Sequence, residues 1–138
     1  MTTFENKLVA LVNEKIEVGV AMNAIAHMTL GLGASVPHDL LRLDNYQDKN
    51  GNIYPNISQI PFIILRGTSN EIRKAVMAAR EQNVKHGIFL NTMTGGGYQQ
   101  QLDNTLATPE SDLIYYGAVL CGPWETVSLI TKKFSLYK

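Results

Sequence analysis

The sequence is poor in the residues that announce specialised chemistry, and each scarcity excludes something. It has a single cysteine, Cys121, so no internal disulfide can form. That residue ends the apolar run of residues 114–121, the setting of a buried structural thiol, and a lone thiol suits a reducing cytoplasm. Neither sign of charge dominates: twelve basic residues face twelve acidic ones, which leaves no global excess for neutralising nucleic-acid phosphates. No run of about 18 apolar residues occurs, as a membrane span would need. The opening Met1 to Lys7 lacks the basic segment and apolar stretch of a secretory signal. Neither membrane insertion nor secretion is therefore expected, and the expected location is the cytoplasm. The histidines His27, His38 and His86 are scattered, with no pair at ligand spacing, so neither a metal nor a cofactor is expected. His38 and His86 read as surface residues. A Gly-x-Ser-x-Gly elbow, a Gly-Lys-Ser/Thr phosphate loop and a dinucleotide fingerprint are all missing.

What is present is apolar material for one core. With 138 residues, 45% of them apolar, the chain suits a single domain over residues 1–138 that buries roughly two-thirds of its unfolded surface. Residues 7–13 (KLVALVN) have the continuous apolar pattern of a strand covered on both faces. A helix follows over residues 18–32, with Ala21, Ile25, Met28 and Leu32 as its inward stripe. Residues 40–60 read as a small antiparallel hairpin whose tight turn holds Asn50-Gly51. Core strands are predicted at residues 61–66, 87–91 and 112–121. A helix capped by Ser69 runs to about residue 82, with Ile72, Ala75, Val76 and Ala79 facing inward. A last helix starts at Gly122-Pro123, with Pro123 in the first helical position and Val127, Ile130 and Phe134 on its buried side. The polar, glycine-rich residues 92–104 have room for a short helix. This order predicts an α/β fold: a mixed four-stranded core sheet with helices on both faces and a β-hairpin insertion.

Two places could carry chemistry. On the first helix Gly19, Asn23, His27 and Gly31 recur every four residues, a row of small and polar groups on an otherwise apolar helix. In one reading the glycines open a groove, Asn23 orients His27 or a ligand, and His27 is an imidazole suited to proton transfer or hydrogen-bond donation near neutral pH. In the other the glycines permit close helix packing and His27 is a buried ring bonded to a carbonyl. The second place is Asn91, Thr92, Thr94 and the glycines from Gly95 to Gly97, because ligands of open α/β sheets bind beyond the carboxyl ends of strands. Successive glycines also let backbone N–H groups approach an anion. The pair Tyr115-Tyr116 reads as a strand signal with one ring on each face, and Trp124 as a ring packed on the sheet or a partner anchor.

The segment KLVALVN, Gly19 and the run Asn23-Ala24-Ile25-Ala26-His27, together with residues 113–136 (LIYYGAVLCGPWETVSLITKKFSL), resemble the opening and close of family number 2000 in the domain-of-unknown-function series. That family is similar in fold to type II peptidyl-tRNA hydrolases, which carry a mixed four-stranded sheet between helices and often dimerise. The resemblance implies a fold and, by extension, a homodimer. The hydrolase pattern of Lys-Gly-Lys, then a glutamine and a histidine, is matched here only by Gly19 and His27; Val18, Val20 and Ala24 fill the other positions. Its arginine-aspartate pair falls near Asn91-Thr92. The leading expectation is thus a cleft lined by Gly19, Asn23, His27, Asn91, Thr92, Thr94 and Gly95 that binds an unknown small molecule or protein. One alternative is an ester or acyl hydrolase with His27 as general base or proton relay and Asn23 or loop amides stabilising an oxyanion. Another is an oligomeric interaction module without catalysis.

Overall fold

A computed structural model describes residues 4–138. Along the chain run β1 (Asn6–Asn13), α1 (Val18–Ser35), β2 (Leu43–Gln47), β3 (Ile53–Ser58), β4 (Phe62–Gly67), α2 (Ser69–Glu81), β5 (Lys85–Leu90), α3 (Tyr98–Ala107), β6 (Tyr115–Pro123), α4 (Trp124–Ile130) and β7 (Ser135–Leu136). The main sheet has five strands in the order β5-β6-β1-β4-β7, one more than expected. The added strand, β7, is two residues long and pairs only at Leu65↔Leu136 and Arg66↔Ser135, too short to show a hydrophobic period. β1 pairs parallel with β4 and antiparallel with β6, so both its edges are taken and its continuous apolar run is explained.

Two clusters of buried side chains form on either side of this sheet. On one face Ile72, Ala75, Val76 and Ala79 of α2 and Val127 of α4 pack over Val9, Leu11, Ala118 and Leu120. On the other, Ala24, Met28 and Leu32 of α1 pack over Leu8, Ala10, Phe89, Val119 and Cys121. Ala24 takes the inward place predicted for Ile25, which is only half-buried. Tyr115 and Tyr116 fall on opposite faces, as alternation requires. Cys121 is buried, and desolvation pushes its thiol pKa up. By length and composition alone α1 could cross a membrane, yet here its stripe is packed on the sheet.

Helix α1 sits close because the sheet is cut away beneath it. A Cβ on Gly117 would lie 2.9 Å from the Leu11 carbonyl oxygen and 2.9 Å from Met28 Cε. One on Gly87 would lie 3.2 Å from Val119 Cγ2 and 3.4 Å from the Met28 carbonyl oxygen. The two glycines form a seat for Met28 on neighbouring strands.

Several ends differ from expectation. The cap of α2 is Thr68, not Ser69: Thr68 Oγ1 accepts from Glu71 N at 3.2 Å while Glu71 Oε1 accepts from Thr68 N at 2.9 Å. Ser69 Oγ instead accepts from Tyr115 N at 2.8 Å and ties α2 to β6. β6 starts at Tyr115 because Glu110–Asp112 form a 3₁₀ turn, held by Arg73 through Glu110 Oε2 at 3.0 Å and the Leu113 carbonyl at 2.6 Å. Pro123 closes β6 and precedes the first helical residue. Phe134 lies beyond α4 but still packs on the core. Half-buried Trp124 carries the Lys7 ammonium 5.1 Å from its ring centroid, and Lys7 donates to Ser128 Oγ at 2.9 Å.

The hairpin β2–β3 forms its own two-stranded sheet, mostly exposed. Its turn is a loop rather than a tight two-residue turn, with Gly51 at φ 87°. Asp48 closes the loop by accepting from Asn50 N, Asn52 N, Asn52 Nδ2 and Tyr54 Oη at 2.7–3.0 Å.

Gly117→Ala should lower stability by about 1–3 kcal/mol through overpacking, since a backbone oxygen cannot move aside. A lower urea midpoint at unchanged slope would confirm it, and an unchanged midpoint would refute the seat. The hydrogen bonds to Asp48, Tyr54 first, lower its pKa from 3.8 to about 2. Its contribution is therefore present above pH 3.8 and lost as pH falls through about 2. In Tyr54→Phe the Asp48 midpoint, read by NMR, should rise toward the ordinary value.

Candidate functional site

The seat on the sheet fixes where the rest of α1 points. With Ala21, Ala24, Met28 and Leu32 turned inward, the predicted row Gly19, Asn23, His27 and Gly31 is turned onto a cleft of about 960 Å³. All four residues line it. β5 contributes His86 to Phe89, and Met93, Thr94, Gly95, Tyr98, Gln101, Leu102 and Thr105 form the opposite wall. No Asp, Glu, Lys or Arg is among these lining residues.

His27 is exposed, not a buried ring satisfied by a carbonyl. Its ring lies 6.1 Å from that of Phe89, tilted by 32°. Asn23, one turn earlier, is exposed as well. The close-packing explanation of the helix glycines also fails. A Cβ on Gly19 or on Gly31 would meet nothing within 4 Å. Glycine inside a helix costs about 0.5–1 kcal/mol relative to alanine, and here packing does not require it. The row keeps a wall low and the cleft open.

The loop after β5 divides in two. Thr94 and Gly95 line the cleft, whereas Asn91 and Thr92 do not and instead hold the loop in place. Asn91 donates from its N–H to the Ile114 carbonyl and accepts at Oδ1 from Ile114 N, each at 3.0 Å, which closes the end of the β5–β6 pair. The Thr92 and Thr105 hydroxyls share a 2.6 Å hydrogen bond that pins α3 to the turn before it. Gly95 and Gly96, at φ 70° and 67°, make the bend between that turn and α3. Gln101 Nε2 donates to the Gly95 carbonyl at 3.0 Å and fixes the bend from the α3 side. Thus the cleft runs beside β5 and reaches past its carboxyl end at Met93, Thr94 and Gly95.

Sequence reasoning missed His86 and most of the α3 wall. His86 is half-buried rather than a simple surface residue. Its Nδ1 lies 2.8 Å from the Val84 carbonyl, which can only accept, so Nδ1 carries a hydrogen and Nε2 is the acceptor of the neutral ring. The signal for α3 was the four-residue spacing of Tyr98, Leu102 and Leu106, set among glutamines in the polar segment where a short helix had room. Those three side chains are exposed, so the helix buries no apolar face of its own.

The mixed sheet and its two helical layers define an α/β fold, with an uncharged cleft between α1 and α3. The family model described as "Protein of unknown function (DUF2000)" matches residues 6–138, and the chain belongs to that family. A solved structure of a protein of unknown function from Agrobacterium tumefaciens strain C58 is similar in fold, with a TM-score of 0.85 at 19% identity over 99% of this chain and 100% of that one. Comparison with curated proteins returns no match.

Replacement of the row residues separates its structural from its other roles. Gly31→Ala should raise stability by about 0.5–1 kcal/mol, and His27→Ala should leave it within about 0.5 kcal/mol of the parent. Chemical denaturation of both variants checks this. A clear loss in either would return the row to packing.

Proposed function

We propose that the cleft between α1 and α3 binds an uncharged, largely apolar ligand, with Asn23, His27, Thr94 and Gln101 supplying directional polar contacts. The observation that carries this reading is Gly31, a helix-interior glycine with open space where its Cβ would be, on the wall of a 960 Å³ cleft. A concave, mostly apolar lining with a few polar groups is the usual form of a small-ligand site. The absence of Lys and Arg from that lining argues against polyphosphate ligands, which need compensating charge. A cytoplasmic setting is part of the proposal and is supported by the buried free thiol of Cys121.

The exposed pair Asn23 and His27 on one wall favours a second reading: hydrolysis of an ester or acyl linkage with His27 as general base. It would go with a fold kinship to type II peptidyl-tRNA hydrolases. This reading has less support, because no carboxylate among the lining residues is at hand to orient the imidazole.

NMR titration with uncharged aromatic and aliphatic amide fragments tests the binding reading. Amide shifts should gather on Gly31, Phe89, Thr94 and Tyr98, and Gly31→Leu should weaken binding at least about tenfold by filling the space. Shifts scattered over the surface, or binding that survives Gly31→Leu, would overturn it. For the second reading, turnover of a p-nitrophenyl ester that disappears in His27→Ala is required; a parent protein without turnover removes it.

A further inference from the structure

We infer that the occupant of the cleft is a stretch of extended polypeptide from a partner protein, added as a strand to the outer edge of β5. The inference rests on the binding reading above and names the class of ligand.

The first observation is which residues of β5 meet the cleft. His86, Gly87, Ile88 and Phe89 are consecutive, and all four line it. Side chains of a strand alternate between faces. Phe89 accordingly packs into the α1-side cluster, while Ile88 packs against the cluster on the α2 side. A cavity confined to one face would meet only every second residue, so this cleft runs along the strand's edge. β5 is also terminal in the sheet, with β6 on its inner side. In an antiparallel pair, every second residue turns its N–H and C=O away from its neighbour. Those groups therefore point into the cleft, and among the described residues none of them has a further backbone partner.

The second observation is that this edge lacks the usual protection. Proteins guard exposed edges with charges, prolines or bulges. Residues 86–89 (HGIF) contain no proline, lysine or acid, and the register irregularity with β6 falls after them, between Phe89 and Leu90. The guarded length is thus interrupted over four residues, about 13 Å of strand.

The third observation concerns the walls. Gly19 and Gly31 keep the α1 side low, and α3 turns exposed Tyr98 and Leu102 toward the gap. With no Asp, Glu, Lys or Arg in the lining, the complementary segment carries uncharged side chains there, apolar on the side facing Phe89 and Met28. A repeating row of backbone donors and acceptors is answered best by another backbone, which is how strand addition gains affinity.

The test is selection from a library of capped, uncharged random hexapeptides, followed by N-methylation of each amide of the tightest binder in turn, with affinities by calorimetry and binding mapped by amide shifts. Strand addition predicts a period of two: alternate N-methyl peptides bind about tenfold more weakly, the others within about twofold. It also predicts slowed hydrogen exchange at outward amides within residues 86–89. An N-methyl series without that period, or binding mapped to the free edges of the β2–β3 hairpin, overturns the inference. So does a library without binders. If fragments still bind the cleft in that case, the site stands and only its peptide ligand falls; if neither binds, both readings fall.

Discussion

The contact between Met28 and the two glycines beneath it sets the geometry on which the candidate site depends. A methionine is flexible enough to fill an irregular hollow, but the hollow must exist. Gly117 and Gly87, on adjacent strands, provide it, and α1 settles onto β5 and β6. Because helical residues one position apart point about 100° apart, seating Met28 places His27 at the rim beside Phe89. Packing in the core thereby decides which face of α1 is offered to solvent and where along the sheet edge it is offered.

Glycine plays two opposite parts in the same region. At Gly87 and Gly117 a side chain is excluded because neighbouring atoms are already there; at Gly19 and Gly31 one is missing where nothing stands in its way. The former serve the core and the latter serve an empty space. The polar residues of the loop after β5 divide by place: Asn91 and Thr92 lie off the cleft, whereas Thr94, which donates to the Asn91 carbonyl at 2.9 Å, lines it. Asn13 also lies off the cleft: it is buried at the end of β1, where Nδ2 donates to the Tyr115 carbonyl at 3.0 Å and Oδ1 accepts from Lys15 N at 2.9 Å.

The helical row from Gly19 to Gly31 was legible because a four-residue period survives whatever the tertiary context, and the inward stripe of the same helix left it only one direction to face. The core strands were legible as continuous apolar runs such as KLVALVN, the mark of strands covered on both faces. Other features carried no local signal. β7 is a strand only because β4 has a free edge there, and Ser69 gave up the cap to Thr68 because its hydroxyl is needed by Tyr115 N, 46 positions away. Asn91 stood out as a ligand residue because it follows a core strand, and nothing local announced its bond to Ile114, 23 positions away. The short helix allowed for in residues 92–104 is α3, but its part as a wall was obscured, because a helix with an exposed apolar edge and no buried residue gives no inward stripe to orient it.

The position of β1 has a consequence for how the molecule is made. It is the third of five strands, and its partners are residues 62–67 on one side and 117–123 on the other. During synthesis β1 therefore leaves the ribosome ahead of both its neighbours, and its second edge stays open until residues 117–123 have been made. An apolar strand with two unpaired edges has to wait while most of the chain is produced, because local hairpins cannot substitute for contacts of such long range. The β2–β3 hairpin, by contrast, closes within its own sequence and asks nothing of the rest. Newly made chains should thus depend on holding partners in proportion to the time between β1 and β6, so a translational pause after β4 would be more hazardous to them than one after β6.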